Sequence, residues 1–405
     1  MYQNRASYAI VIYVLVIAFF AHAWYNTTMT PKNVLLLITP SSPGRFKGIS
    51  IFARSHGWHL TVADRLTHML DGWTGDGALV TLRDDEDTLR RVVDLRRRRI
   101  PVVDLSLTRP DVRLPRVAND NAALGRLAAA YLAGRRFRHT AWFSTNWSHQ
   151  HELRFGGFAE GLALPPEKWA WTLAPERTKS DDWKALSHWL QSHIENAPKP
   201  LGLFTFDDAD ASRAESAALA AGLSVPDDVA ILGAGDDEPL CESQIVPISS
   251  VRCDMSRNGY VGAAMLDRLM SGGRAPSKAM LISPRGVAER ASTDTLAVPR
   301  GLVRDARDIY RAELAAPPST EELAMRLGVS RPTLDRAFAA QFGMPPAKLL
   351  ALMRLEEAKR LLRGSSLTVA EIARRTGYCN PAYLVNVFRD ATGLSPKKWR
   401  NSGMR

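Results

Sequence analysis

Cysteine is scarce in this chain of 405 residues, which contains only Cys241, Cys253 and Cys379. Because their number is odd and they lack ligand spacing, a disulfide framework and a zinc site are excluded. The nine histidines include no pair spaced for a helical metal site. Glycine-rich phosphate loops and nucleophile elbows are missing as well. We therefore expect no metal, no cofactor and no enzymatic activity, and thiols that stay reduced.

Acidic residues are in deficit at the C-terminal end of the chain. From residue 301 onward there are 18 Lys and Arg but 10 Asp and Glu, a net charge of +8 out of +11 for the whole chain. About a quarter of the length thus carries most of the excess positive charge. Such a concentration is typical of a domain that contacts nucleic acid phosphates.

The same region contains one sequence pattern twice. Up to the turn, residues of the first copy recur 49 positions later. Beyond the turn the offset is 50, because the second copy has one additional residue there. The equivalent residues are Ser319, Glu322, Leu323, Ala324, Arg326, Gly328, Leu334, Phe338, Gly343 and Pro346 in one copy, and Thr368, Glu371, Ile372, Ala373, Arg375, Gly377, Leu384, Phe388, Gly393 and Pro396 in the other. Each copy has a capping box at a helix start and a glycine at its end. The sequence therefore predicts two helix-turn-helix units, 319–342 and 368–392.

The second helix of each unit is expected to enter the major groove of double-stranded DNA. Its buried stripe is Leu334 with Phe338, or Leu384 with Phe388, and its other face is free to reach base edges. The residues predicted to contact DNA there are Arg331, Pro332, Asp335 and Arg336 in the first unit, and Asn380, Pro381, Ala382 and Asn386 in the second.

Base partners follow from the chemistry of these side chains. Arg336 suits guanine and Asn386 suits adenine. Asp335 has two possible roles, either pairing with cytosine or forming a salt bridge to Arg331 one helical turn away. A predicted helix over 347–362, about 24 Å long, would hold both units so that one monomer contacts two successive major grooves.

The C-terminal region resembles the arabinose-regulator (AraC/XylS) family of transcription activators over about 303–402. The residues that carry this resemblance are Gly377, Tyr378, Pro381, Leu384, Phe388, Arg389, Gly393, Leu394, Ser395, Pro396, Trp399 and Arg400. Leu384 stands where that family more often has phenylalanine. The resemblance implies a DNA-binding domain over 299–405 and RNA polymerase as an activation partner.

Residues 29–298 alternate between short apolar, β-rich runs and helical patterns, which predicts parallel sheets covered by helices on both faces. Ligands bind such sheets beyond the carboxyl ends of the strands. The polar residues expected there are Asp104, Arg154, Asp207 and Asp236. Carboxylates with an arginine suit a sugar, whose hydroxyls need both donors and acceptors. The alternative for Asp207 and Asp236 is that they simply cap helices.

This region, over about 32–298, resembles the periplasmic-binding-protein-like sensor of lactose-repressor-type (LacI/GalR) regulators. Arg154 and Asp207 match effector-binding positions of that family, whereas Gly235 stands where an aspartate is usual. The resemblance implies two lobes, one formed by about 29–135 and 252–298 and the other by about 136–251.

The overall prediction is an α/β two-lobed periplasmic-binding-protein-like domain followed by an all-α domain with two helix-turn-helix motifs. Four segments resemble one subgroup in particular, the xylose operon regulators, which join a lactose-repressor-type sensor to an arabinose-type DNA-binding domain. These segments are 246–251, Gly259-Tyr260, 266–269 and 286–294. This resemblance implies a homodimer that activates a carbohydrate operon in response to xylose or another pentose. A linker over 295–302 is expected to transmit lobe closure to the DNA-binding domain.

The first 28 residues form an apolar extension. Tyr8 to Trp24 is a 17-residue stretch without charge, at the lower limit for spanning a bilayer, and Ala21-His22-Ala23 resembles a signal-peptidase site. Because export would separate the DNA-binding domain from DNA, we favour a start at Met29 and a cytoplasmic protein. A single-span anchor is the alternative.

Two further functions fit parts of the pattern. One is a membrane-anchored solute-binding receptor that regulates indirectly. The other is a ligand-independent DNA-binding protein with a degenerate sensor, which Gly235 would explain.

Overall fold

The computed structural model describes residues 31–38, 43–63, 72–82, 86–145, 148–162, 172–173, 182–295, 297 and 301–402. The predicted extension over 1–28 lies outside these residues. Among the described residues, no helix is both long enough and apolar enough to cross a membrane.

The first lobe is built on a four-stranded parallel sheet in the order β2-β1-β3-β4. Its strands are β1 (Lys32–Leu37), β2 (Trp58–Val62), β3 (Gly77–Val80) and β4 (Val102–Asp104). A separate parallel pair is formed by β5 (Val117–Asn119) and β11 (Met280–Ile282). The helices of this lobe are α1 (Pro43–Ser55), α2 (Glu86–Arg97) and α8 (Met255–Met270).

Both faces of this sheet are covered by helices, as the sequence predicted. Alternate residues of β1 enter two different cores: Val34 and Leu36 pack with α1 and α8, whereas Leu35 and Leu37 pack with α2. All four of these side chains are buried, which explains why the strand is a continuous apolar run. The edge strand β2 is only half buried and was missed, because His59 and Thr61 interrupt its apolar pattern.

The second lobe contains a six-stranded sheet in the order β12-β10-β9-β8-β6-β7, parallel except for β12. Its strands are β6 (His139–Phe143), β7 (Thr172–Leu173), β8 (Leu201–Thr205), β9 (Val229–Gly235), β10 (Ser249–Arg252) and β12 (Val287–Ala288). Its helices are α3 (Asn121–Gly134), α4 (His149–Leu162), α5 (Trp183–Asn196), α6 (Asp208–Ala220) and α7 (Glu238–Glu242).

The chain crosses between the lobes at places that the sequence did not predict. It first leaves the first lobe at Asp120, not near residue 135, because Leu124 and Leu132 of α3 pack in one core with Trp142 and Phe204 of the second lobe. It returns near residue 254, as expected. A further crossing brings 287–293 back to the second lobe, where β12 pairs with β10. The assignment of 120–135 and of 287–293 to the first lobe was therefore wrong.

Helices α3 and α4 approach each other closely because glycines face the contact. A Cβ added to Gly157 would lie 2.1 Å from the carbonyl oxygen of Ala122, and one added to Gly125 would lie 2.1 Å from that of Arg154. The backbone of Arg154 is thus set by the packing of these two helices.

Gly157→Ala is expected to lower the free energy of unfolding by about 1–3 kcal/mol, because the two helices must move apart. The matched control is Gly156→Ala, since nothing lies within 4 Å of a Cβ at that neighbouring position. There, the higher helix propensity of alanine should stabilise the protein by up to about 1 kcal/mol. Urea denaturation of both variants measures the difference. Equal effects of the two substitutions would contradict the close-packing argument.

The C-terminal domain consists of seven helices among the described residues. They are α9 (Leu302–Ala312), α10 (Thr320–Arg326), α11 (Arg331–Gln341), α12 (Pro346–Gly364), α13 (Val369–Arg375), α14 (Pro381–Thr392) and α15 (Pro396–Ser402). Both predicted capping boxes are present, with Ser319 and Thr368 as N-caps. Gly328 and Gly377 have φ angles of +68° and +71°, so each turn uses the left-handed conformation that glycine allows.

Two small cores hold the helix-turn-helix units, and the long helix α12 belongs to both. Leu349 of α12 packs with Leu334 and Phe338 of the first unit, whereas Leu355 and Leu362 are part of the second core. With 19 residues, α12 is about 28 Å long. It therefore connects the two units as the sequence predicted.

Candidate DNA-recognition helices and effector cleft

The first recognition helix, α11, exposes the predicted DNA-contacting face. Ser330 caps the helix by accepting a hydrogen bond from the Thr333 amide, and Leu334 and Phe338 are fully buried below. On the outer face, Arg331, Pro332 and Arg336 are exposed. The N-terminal turn of α11 is thus free to enter a groove.

Ion pairs within the first unit orient some of these side chains. Arg331 contacts Glu321 of α10, and its Nε lies 3.7 Å from an Asp335 carboxylate oxygen. Arg336 donates to the Pro332 carbonyl oxygen at 3.3 Å, so it lies along its own helix. The geometry favours the role of Asp335 as a partner of Arg331.

The second recognition helix, α14, is capped by Asn380, whose side chain accepts a hydrogen bond of 2.8 Å from the Tyr383 amide. Pro381, Ala382 and Asn386 are exposed on its outer face. Tyr383 is also 53% exposed there, and the sequence argument missed it. Its position two residues after the predicted contact Pro381 was the available signal.

Several other basic residues of this domain form ion pairs or hydrogen bonds with other residues of the protein. Arg363 pairs with Glu289 at 3.0 Å, Arg360 pairs with Glu357 at 2.6 Å, and Arg400 donates to the Leu362 carbonyl oxygen at 3.2 Å. Lys397 and Lys398 are exposed on α15. We therefore expect Lys397 and Lys398 to contact phosphates, rather than the three arginines.

In the sensor, Arg154 is buried at the carboxyl edge of the second sheet. Its guanidinium donates from Nε to Asn121 Oδ1 at 3.1 Å and from Nη1 to the Phe206 carbonyl oxygen, and it lies 4.5 Å from the centre of the Phe206 ring. Burial lowers the pKa of Arg154, while Cys253, Asp207 and Asp208 act in the opposite direction.

Asp207 and Asp208 begin helix α6 close to Arg154. Asp207 is half buried and caps the helix by accepting from the Asp210 amide at 2.8 Å. Asp208 is buried, accepts from Ser250 Oγ at 2.5 Å and from the Asp237 amide at 2.8 Å, and has a pKa raised by burial. The structure thus brings Arg154 and Asp207 together, with Asp208 as a neighbour that the sequence argument did not select.

Asp104 lies in the first lobe and is fully buried. Arg116 donates to it from Nε at 3.0 Å, and the Leu82 amide and the Ser106 amide and hydroxyl donate to its other oxygen. Burial raises the pKa of Asp104, and these hydrogen bonds oppose that effect. Its acceptors are therefore occupied by the protein itself.

Asp236 lies beyond β9 with a left-handed φ of +60°. Its carboxylate accepts from Arg290 Nη2 at 2.9 Å, and its amide donates to Ser250 Oγ at 3.0 Å. The preceding Gly235 has a φ of +134° and adjoins Asp208. Asp236 is thus near the site but already paired.

The two lobes also touch away from the crossings, where Gln150 of α4 donates to Thr108 Oγ1 at 2.6 Å. Nearer the crossings, Arg45 of α1 is buried and donates from Nε to Asn258 Oδ1 at 2.9 Å. Burial raises the pKa of the Cys253 thiol on the crossing segment, and both Arg154 and Arg45 oppose that effect. Asn258 Nδ2 in turn donates to the Val117 carbonyl oxygen of β5 at 3.1 Å, which places Arg45 beside the first crossing.

Helix α9 fixes the DNA-binding domain to the second lobe. Arg307 is 1% exposed, and its two Nη atoms each donate at 2.7 Å to one carboxylate oxygen of Asp227. Arg304 pairs with Asp228 at 3.0 Å. We call these two pairs the interdomain clamp. Burial raises the pKa of Asp227, but the hydrogen bonds and charge of Arg307 outweigh it and hold the pKa below its usual value.

Further contacts surround the clamp. Arg136 places its guanidinium 4.6 Å from the centre of the Phe342 ring at the end of α11. Glu289 forms ion pairs with Arg135 at 3.4 Å and with Arg363 of α12 at 3.0 Å. Residues 295–302 were predicted to be a linker, and this interface was not predicted. The signal was present in α9, where Arg304, Arg307 and Arg311 share one helical face.

Comparison with protein families matches residues 117–293 to a periplasmic binding protein-like domain and residues 323–402 to a helix-turn-helix domain. Together with the fold, these matches confirm the predicted architecture. The chain is a DNA-binding transcription regulator that carries a periplasmic-binding-protein-like sensor domain.

Two curated relatives match most of the chain. The chain is 25% identical to the xylose operon regulatory protein of Escherichia coli K12 over 369 residues, which cover 85% of this chain and 89% of the relative. Identity to the protein of the same description from Haemophilus influenzae is 23% over 292 residues, 71% of this chain and 74% of the relative. The resemblance to xylose operon regulators is therefore confirmed.

Solved structures show the same fold. A xylose-binding transcription activator superimposes with a TM-score of 0.60 at 22% identity, covering 92% of this chain and 98% of the other. A transcriptional regulator in complex with cellobiose gives a TM-score of 0.53 at 21% identity, covering 67% of this chain and 89% of the other.

Proposed function

We propose that this protein is a sugar-responsive, sequence-specific regulator that activates a carbohydrate operon, with xylose or another pentose as the class of effector. The observation that carries this proposal is the pair of equivalent recognition helices with exposed outer faces, held on one domain by α12. Their joining to a two-lobed sensor through a buried interface supports control by a ligand. The similarity to xylose operon regulatory proteins supports the choice of sugar.

Individual roles follow from the contacts of the DNA-binding residues. Arg336 and Asn386 are proposed to read guanine and adenine. Asp335 is proposed to orient Arg331, since the two side chains lie 3.7 Å apart. Asn380 fixes the start of α14, and Pro381 and Ala382 line the surface that meets the groove.

Roles in the sensor are proposed on the same basis. Arg154 and Asp207 supply a donor and an acceptor to the effector from the second lobe. Asp104 and Asp236 are proposed to shape the cleft through Arg116 and Arg290, with which they already pair.

The interdomain clamp offers a different route from the sensor to the DNA-binding domain than the predicted linker. Because α9 is fixed to the second lobe, the DNA-binding domain is proposed to move with that lobe as one body. An effector that prefers one angle between the lobes would then reposition the recognition helices in a homodimer. A flexible linker is not required.

The proposal includes a homodimer as the active form, RNA polymerase as the partner in activation and the cytoplasm as the location. Light scattering of the purified protein tests the dimer. Transcription in vitro with purified polymerase and a template containing the operator tests activation.

Footprinting of the DNA beside this gene, with and without pentoses, tests the central proposal. We expect protection of two successive major-groove segments and a change in affinity on adding one pentose. Protection that is equal for operator and shuffled DNA would exclude a sequence-specific regulator. Specific protection that no sugar alters would favour the ligand-independent alternative.

Arg336→Ala is expected to relax base choice at one position of the operator, at a cost of about 1–3 kcal/mol of specific binding. Lys398→Ala is the matched comparison, because a phosphate contact weakens all sequences alike and lowers the salt dependence. Fluorescence anisotropy with operator variants measures both. Equal losses on specific and random DNA for both variants would contradict this division of roles.

A further inference from the structure

Two arginines occupy equivalent places in the two lobes of the sensor. Arg45 lies in the first turn of α1, and Arg154 lies in α4. Each is held by an asparagine near the start of the helix that follows a crossing: Arg45 Nε donates to Asn258 Oδ1 at 2.9 Å, and Arg154 Nε donates to Asn121 Oδ1 at 3.1 Å. The same local arrangement thus appears once in each lobe.

The packing around the two arginines is also equivalent. A Cβ added to Gly259 would lie 2.1 Å from the carbonyl oxygen of Arg45, and one added to Gly125 would lie 2.1 Å from that of Arg154. Each arginine therefore sits where two helices touch backbone to backbone. Asn258 Nδ2 donates to the Val117 carbonyl oxygen at 3.1 Å, and Asn121 Nδ2 donates to the Asn119 carbonyl oxygen at 3.3 Å, so both arginines are held beside the segment where the chain first crosses between the lobes.

Neither guanidinium has an acidic partner among the described residues. Arg45 bonds to the neutral groups of Asn258 and Thr81, the latter at 3.2 Å. Arg154 bonds to Asn121 and to the Phe206 carbonyl oxygen.

The other buried arginines of the described chain differ in this respect. Arg116 pairs with Asp104 at 3.0 Å, Arg135 with Glu289 at 3.4 Å and Arg307 with Asp227 at 2.7 Å. The other buried arginines of the described residues are therefore paired with a carboxylate, whereas the two at the cleft are not.

An unpaired buried charge is costly, and the cost falls when an opposite charge arrives. Burial lowers the pKa of Arg154 and lowers that of Arg45 to about 10, as expected for cations that lack a close anion. The carboxylates that act on these two cations are committed elsewhere. Asp104, which raises the pKa of Arg45, accepts from Arg116 at 3.0 Å. Asp208 accepts from Ser250 and the Asp237 amide, and Asp207 caps α6.

We propose that the natural effector is an anionic sugar derivative whose carboxylate or phosphate binds between Arg45 and Arg154. This inference rests on the proposed sugar response and narrows its ligand class. The oxyanion would join the lobes by receiving charge-assisted hydrogen bonds from both sides. The sugar hydroxyls would bind the neighbouring polar groups.

Calorimetry of the full-length protein with D-xylose, D-xylonate and D-xylulose 5-phosphate tests this proposal. At least one anion is expected to bind about tenfold or more tightly than D-xylose, with an affinity that falls as salt is raised. The two anions distinguish a carboxylate from a phosphate. Arg45→Gln and Arg154→Gln should each weaken binding of the anion by about tenfold to hundredfold, and the loss should be larger for the anion than for D-xylose.

Two further variants and a binding assay with DNA serve as controls. Arg126→Gln removes an exposed partner of Glu160 on the second lobe and should change neither affinity. Arg45→Lys keeps the charge and should retain a preference for the anion. Unchanged DNA affinity of each variant shows that it is folded.

The possible failures are distinguishable. Tighter binding of D-xylose than of both anions would overturn the anionic class and leave the sugar-responsive regulator standing. Binding of none of the three compounds would overturn the anionic site, and a footprint that no pentose alters would in addition overturn the sugar response. Full anion affinity in Arg45→Gln would show that the charge is bound elsewhere, which also overturns this site.

Discussion

Arg307→Ala is expected to lower the free energy of unfolding by about 3–5 kcal/mol and to uncouple the sensor from the DNA-binding domain. Arg307 is 1% exposed and gives both Nη atoms to Asp227, with a further bond of 2.9 Å to Thr295 Oγ1. Its removal leaves the Asp227 carboxylate partly buried without its cation. The interface of α9 with the second lobe then loses its central contact.

Differential scanning calorimetry and limited proteolysis measure this effect. The variant should show a separate, earlier transition for the DNA-binding domain and faster cleavage between residues 296 and 301. Because the folded pKa of Asp227 is lowered, the contribution of the pair is complete at neutral pH and is lost as the pH falls through that lowered pKa. The difference between wild type and variant should therefore shrink in acid.

Arg126→Ala is the control for the clamp variant. It removes an exposed pair with Glu160, at 2.9 Å, on the same lobe, and should cost less than about 1 kcal/mol. If Arg307→Ala unfolds in one transition at the wild-type temperature, the two domains are not held together by this residue.

Phe388→Ala is expected to remove the second recognition helix from the DNA interface. Phe388 is fully buried, packs with Leu384 and Ile372, and meets the Trp399 ring edge-on at 5.6 Å. Truncation of such a side chain costs about 3–5 kcal/mol, which a core of this size cannot absorb. Misplacement of α14 would remove the base contacts proposed for Ala382 and Asn386. At about 1–3 kcal/mol for each contact, the binding free energy for the operator should weaken by about 2–6 kcal/mol.

Phe338→Ala is the matched variant, because Phe338 is the equivalent buried residue of the first unit. In footprinting, the two variants should lose protection over different halves of the operator. The sensor should keep its ligand affinity in both. Loss of the whole footprint in each variant, or loss of the same half, would contradict the assignment of one unit to each major groove.

Local patterns account for what was predicted correctly from the sequence. Ser319 with Glu322, and Thr368 with Glu371, sit three residues apart, so their capping boxes need no information from the rest of the fold. Likewise, β1 is a run of apolar residues because both of its faces are covered. The edge strand β2 was missed for the opposite reason, since its exposed face leaves no continuous apolar run.

The lobe boundaries needed three-dimensional information. Helix α3 follows a first-lobe strand and has apolar residues that would suit either lobe. It belongs to the second lobe because Leu124 and Leu132 meet Trp142 and Phe204. No spacing in the sequence indicates which of two cores a helix will join.

The sequence by itself determined the helix-turn-helix repeat, the alternation of strands and helices and the exposed polar faces of the recognition helices. Only the tertiary structure decided which charges are paired. It assigned Asp104 to Arg116, joined Arg307 to Asp227 across 80 positions, and left Arg45 and Arg154 with neutral partners. The physical reason is that caps and helical stripes depend on neighbours within a few residues. The state of a buried charge depends instead on which distant segments exclude water and supply its counter-ion.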